Sequence, residues 1–145
     1  MLLGFPITAI TRSRAITRLS MLGWNIGVFK QRDDGASPAT AQSQHGARLA
    51  VWQTGPWGLD WLEELVEAGQ AIRLSGGGYP NRYTATAEHL IPRIIETPPG
   101  ARAVWVYQKG DIITDKWVGK TLVDGEAAAL CRSDEWLLVE AWDES

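Results

Sequence analysis

Apolar residues recur at helical spacing most clearly between positions 56 and 68. Trp57, Trp61, Leu62, Leu65 and Ala68 fall three and four residues apart and make one apolar stripe. Asp60, Glu63, Glu64 and Glu67 fall on the other side. Pro56 suits the first helical position, because its missing N–H had no helical partner there. Thr54 or Gly55 would sit at or beside the N-cap. Gly69 can take the left-handed conformation that stops a helix. The pattern predicts a helix whose tryptophan side packs on a sheet and whose carboxylate side meets water.

Period-two alternation and short apolar runs predict strands over residues 24–30, 48–53, 70–75, 102–108, 111–117 and 136–142. The second is largely apolar and expected to be central. The last is nearly continuous in apolar residues, which suits a strand covered on both faces. Lys109-Gly110 would turn a hairpin between residues 102–108 and 111–117. Strand, helix and strand between residues 48 and 75 allow a crossover, right-handed if the two strands are parallel.

A second helix is predicted over residues 85–96 from Ala87, Leu90, Ile91, Ile94 and Ile95, with Thr86 as N-cap. Pro92 should kink or divide it. Residues 121–123 read as a short extended piece. Asp124 or Gly125 could then cap a short helix over residues 126–131, and residues 143–145 read as a solvated tail. The fold class is therefore a single α/β or α+β domain over residues 21–145: a mixed sheet of about five strands flanked by two or three helices.

Two stretches stand apart. Residues 1–20 hold Arg12, Arg14 and Arg18 but no acid. Their basic residues follow the apolar run, the reverse of a secretory signal. They are expected to be a disordered tail or an upstream extension before a start at Met21. Residues 31–46 are rich in Asp, Gly, Ser, Ala and Gln without apolar periodicity, and read as a long mobile loop. Asp33-Asp34-Gly35 lacks the alternating acids and distal Glu of a calcium loop, so no metal is expected.

Composition sharpens this picture in three ways. Eight Trp imply a core of few large side chains, or some indoles left at a binding surface. Net charge is −3; removing the three leader arginines from 14 basic residues leaves 11 against 17 acids, a net −6. That balance, with no basic cluster after residue 20, argues against a nucleic-acid surface. Cys131 is the single cysteine, so an internal disulfide and a multi-cysteine zinc site are excluded. This suits a cytoplasmic protein. No apolar run approaches the length of a membrane span.

Candidate chemistry centres on Gly76, Gly77, Gly78, Tyr79, Asn81 and Arg82. Three consecutive glycines open backbone angles closed to other residues, which suits a sharp turn or close approach to a ligand. Tyr79, Asn81, Arg82 and Tyr83 would supply hydrogen bonds and stacking. Other motifs fail. Val118-Gly119-Lys120-Thr121 lacks the earlier glycine of a phosphate-binding loop, since position 114 is Thr. Gly76 and Gly78 lack the third glycine of a dinucleotide fingerprint, since position 81 is Asn. Ser75 lacks the preceding glycine of a nucleophile elbow. Cys131 reads as a small buried apolar residue rather than half of a pair with His45 or His89. His89 reads as a surface histidine. Glu140, inside the apolar last strand, must reach the rim or find a partner such as an arginine.

The leading expectation is a non-enzymatic acidic binding or regulatory protein, in the manner of small immunity or antitoxin proteins. It would meet a basic protein partner through Asp60, Glu63, Glu64 and Glu67. The alternative is a small enzyme or ligand-binding domain whose pocket is built by residues 76–83. No cofactor is expected in either case. The oligomeric state is open.

Overall fold

The computed structural model describes residues 23–101 and 121–144. In chain order its elements are β1 (Trp24–Gln31), β2 (His45–Thr54), α1 (Asp60–Glu67), β3 (Ile72–Ser75), β4 (Asn81–Thr86), α2 (Ala87–Ile94), β5 (Leu122–Val123), α3 (Gly125–Ala129) and β6 (Trp136–Asp143). The leader, the hairpin read over residues 102–117, and residues 118–120 and 145 lie outside the described residues.

The six described strands form one sheet in the order β3-β4-β6-β1-β2-β5. The expected single α/β or α+β domain with flanking helices is what the structure has, but where a mixed sheet of about five strands was expected the described sheet has six strands and no parallel pair. Each described pairing is antiparallel. β2 and β3 nevertheless run the same way, because four antiparallel steps separate them. The connection through α1 therefore crosses the sheet over β1, β6 and β4 instead of joining neighbours.

Alternation places the core on one sheet face. Ile26 stands opposite Trp52 and Ala141, Val28 opposite Ala50 and Val139, and Tyr83 opposite Val139. Trp61, Leu62 and Leu65 of α1 and Leu90 and Ile94 of α2 close over them in one buried cluster. Trp61 lies 6.0 Å from Trp52, ring to ring. β6 lies between β4 and β1 and is buried at five consecutive positions, Leu137 to Ala141. Its apolar run is that of a central strand with neither face in water.

The second face is covered by the β1–β2 loop. Ala39 N–H donates to Thr84 Oγ1 (3.2 Å), and Gln31 Nε2 donates to the carbonyls of Ser37 (2.8 Å) and Trp136 (3.1 Å). The expected loose loop is thus tied across the sheet. It was invisible as such because its attachments use backbone and small polar groups, which leave no apolar period. The sequence of β4 lacks an apolar period for the same reason. Its outward Arg82 and Thr84 bond to the β1–β2 loop, while Tyr83 and Ala85 face the core.

Four local expectations are corrected. α1 begins at Asp60 with Leu59 as N-cap and no side-chain cap bond. Gly55-Pro56-Trp57-Gly58 is instead a separate turn, closed by Gly58 N–H to the Gly55 carbonyl (3.1 Å), with Pro56 at its favoured second position. The turn swings Trp57 outward, so it is 76% exposed rather than buried. Pro92 does not divide α2. Thr86 is the α2 N-cap, but the free N–H groups of Ala87 and Glu88 bond to the carbonyls of Glu135 (2.8 Å) and Ser133 (3.0 Å). Asp124 caps α3 as expected, accepting from Ala127 N–H (3.0 Å). Asp143 and Glu144, expected in a solvated tail, are half-buried: Asp143 ends β6, and Glu144 N–H donates to the Gly23 carbonyl (3.0 Å) while its carboxylate accepts from Gln53.

Candidate functional site

β3 and β4 are joined by residues 76–80. Gly77 has φ 99° and Gly78 has φ 87°, where residues with a Cβ are strained. A Cβ on Gly78 would also lie 3.1 Å from the Asp143 Cβ. The turn is fastened on several sides. Asp143 N–H donates to the Gly78 carbonyl (2.9 Å), Gly78 N–H to Asn81 Oδ1 (2.6 Å), and the Ser75 hydroxyl to the Pro80 carbonyl (3.4 Å). The Tyr79–Pro80 peptide is cis.

Across from this turn stands the returning arm of the β1–β2 loop, and Arg82 joins the two. Its Nη1 donates to the carbonyls of Ala41 (2.8 Å) and Ser43 (2.9 Å). Its Nη2 donates to Glu140 Oε2 (2.5 Å). Glu140 faces Arg82 on β4 and Gly27 on β1, with its side chain only 8% exposed. A lone carboxylate at that depth would be costly. Arg82 meets the charge and uses its other donors to hold the loop.

The two loops enclose an open cleft of about 650 Å³, whose lining includes Arg32, Ser43, His45, Gly76, Tyr79 and Arg82. An adjoining hollow of about 300 Å³ shares Arg32, Ser43 and Gln44 and adds Gln31 and Asp33. Among the described residues no Asp or Glu lines the larger cleft. Arg32 is anchored by its own backbone N–H to the Gln44 carbonyl (3.0 Å), and the His45 ring stacks on Phe29 at 4.2 Å. Tyr79 projects from the turn, 68% exposed.

Of the residues singled out from sequence, Gly76, Tyr79 and Arg82 line the cleft. Gly77, Gly78 and Asn81 shape the turn behind it. The opposite wall, residues 41–45 with Arg32, was not anticipated. The one hint was the long polar segment itself, whose course depends on contacts with distant β4.

The acidic residues of α1 divide. Asp60, Glu64 and Glu67 are exposed. Glu63 points along the helix toward the sheet edge, where it accepts from the Tyr83 hydroxyl (2.6 Å) and from Arg73 (Nε at 3.3 Å and a shorter Nη2 contact). Glu63 is therefore a structural partner as well as a member of the stripe.

Cys131 is half-buried, and its Sγ lies 3.6 Å from the Ala127 carbonyl. Burial first, and nearby Glu135 second, raise the thiol above its ordinary value of 9.0; Lys30 and Arg132 oppose them. That is the reverse of what a nucleophilic cysteine needs. Neither Cys131 nor His89 lines the cleft.

No family model matches the chain, and no curated protein or solved structure matches it either. Among the described residues no helix is long and apolar enough to cross a membrane.

Proposed function

We propose that this chain is a binding domain for a small polar molecule, held in the cleft between residues 41–45 and 76–82. The observation that carries the reading is the cleft's construction. A glycine turn with two positive-φ positions and a loop strapped down by a buried ion pair face one another across about 650 Å³. That volume is within the range of small-molecule sites. Hydroxyl, amide and guanidinium groups share the lining about evenly with apolar surface, so the favoured ligand has a polar part for them to bind. The single cysteine is compatible with action inside the cell.

A metabolite-library thermal-shift screen tests this. The reading expects a specific stabiliser whose effect is lost on Gly77→Val or Arg82→Ala. A screen in which every stabiliser acts on both variants as strongly as on the wild-type chain would overturn it.

A second reading, docking of a basic protein on α1, has one observation in its favour. Trp57 stands 76% exposed just ahead of the exposed Asp60. Aromatic residues are common anchors at interfaces. Reversing Asp60, Glu64 and Glu67 to Lys should abolish a pull-down partner, while Glu63 is left in place to hold Tyr83. An unchanged set of partners would remove this reading.

A further inference from the structure

Resting on the cleft reading above, we infer that the ligand carries an oxyanion, a carboxylate or a phosphate, and that Arg32 is the residue that recognises it. Two arginines line the cleft, and they are not equivalent. Arg82 already faces Glu140 and two loop carbonyls. Its charge is balanced and its role is positioning. Arg32 is exposed and forms no ion pair with any described residue. Among the described residues that line the cleft, it is the arginine without an ion-pair partner.

The rest of the lining agrees in sign. No carboxylate of the described residues enters it; the nearest acid by sequence, Asp33, lines only the adjoining hollow, where its Oδ1 accepts from Gly35 N–H (2.9 Å). A metal ion or an ammonium ligand would find no counter-charge here. Among the described residues Ala41 and Pro80 are the aliphatic members of the lining. Ser43, Ser75, Gln42 and Gln44 supply neutral polar groups around the guanidinium. Guanidinium groups suit the two-oxygen geometry of carboxylate and phosphate.

The whole chain carries −3, which would repel an anion at long range. At physiological salt that field decays over about 8 Å, so a cation inside the cleft dominates there. The backbone bond from Arg32 to Gln44 fixes the root of the side chain. Only the side-chain torsions need to be ordered on binding.

The test is an NMR titration of the ¹⁵N-labelled full chain with sodium phosphate, and separately with sodium citrate, against sodium chloride at matched ionic strength. The amides of Arg32, Gln44, Gly76 and Tyr79 should shift saturably with one of the two anions and not with chloride. The anion that responds distinguishes phosphate from carboxylate recognition. Arg32→Gln should weaken the binding by about tenfold or more, and Arg32→Lys by less, since charge remains but the fork is lost. The variant's own spectrum reports whether it is folded.

Equal affinity in Arg32→Gln, or shifts that chloride reproduces, would overturn the inference. A neutral stabiliser from the thermal-shift screen that perturbs these amides equally in wild type and Arg32→Gln would sink the anion while leaving the cleft reading intact. If neither the anions nor any screened compound moved these amides, both would fall.

Discussion

Glu140 and Arg82 are the pair on which the site depends, and their depth determines what replacing either would do. Breaking a buried pair leaves the surviving charge without compensation, at a cost of about 3–5 kcal/mol. Glu140→Gln should therefore lower unfolding stability in urea by about 3 kcal/mol, with the toe of that range favoured because Arg82 retains 19% exposure. A loss below about 0.5 kcal/mol would mean that the ion pair is not formed in solution. Cys131 gives a second test at this scale. Its thiol is raised in the folded state, so the native protein holds its proton after the unfolded chain has released it. Stability is then full below 9.0 and falls as pH climbs toward the folded value. Cys131→Ser should flatten that decline in denaturation midpoints measured between neutral and alkaline pH.

At the scale of elements, α1 shows how far periodicity reaches. Trp61, Leu62 and Leu65 are buried where the three-and-four spacing puts them. Trp57 belongs to the same spacing, yet the turn at Pro56 takes it out of the helix. Sequence spacing cannot tell a first helical turn from a preceding β-turn, because both welcome proline. The two indoles should behave oppositely in urea unfolding. Trp61→Ala should cost about 3–5 kcal/mol, and Trp57→Ala no more than about 0.5 kcal/mol. Similar losses at both positions would contradict the assigned packing.

β6 was readable because a strand buried on both faces is apolar throughout. β4 and the β1–β2 loop were not, since each provides the other's polar cover. Residues 76–82 stood out through Gly76, Gly77 and Gly78, so half of the cleft was legible. The other wall was hidden because Arg32 and Ser43 reach it only through contacts made far along the chain. Glu140 was legible as a carboxylate in need of a partner, but that partner's identity depended on strand register.

Across the whole molecule, the sheet has two differently built sides. One carries the tryptophan- and leucine-rich core under α1 and α2. The other is tied among the described residues by hydrogen bonds and the buried Arg82–Glu140 pair, and there the cleft opens. Sites need surfaces that are positioned yet polar, and a loop strapped to a rigid sheet meets both needs. Hydrogen exchange tests this account most directly. The amide of Ala39, bonded to Thr84, and that of Arg32, bonded to Gln44, should be protected in the wild-type chain. In Arg82→Ala the Ala39 amide should lose far more of its protection than the β1–β6 ladder amides, which fall only by the global destabilisation that the lost ion pair brings. Free exchange at Ala39 in the wild-type protein would mean that the loop does not lie on the sheet, and the cleft would lose one of its walls.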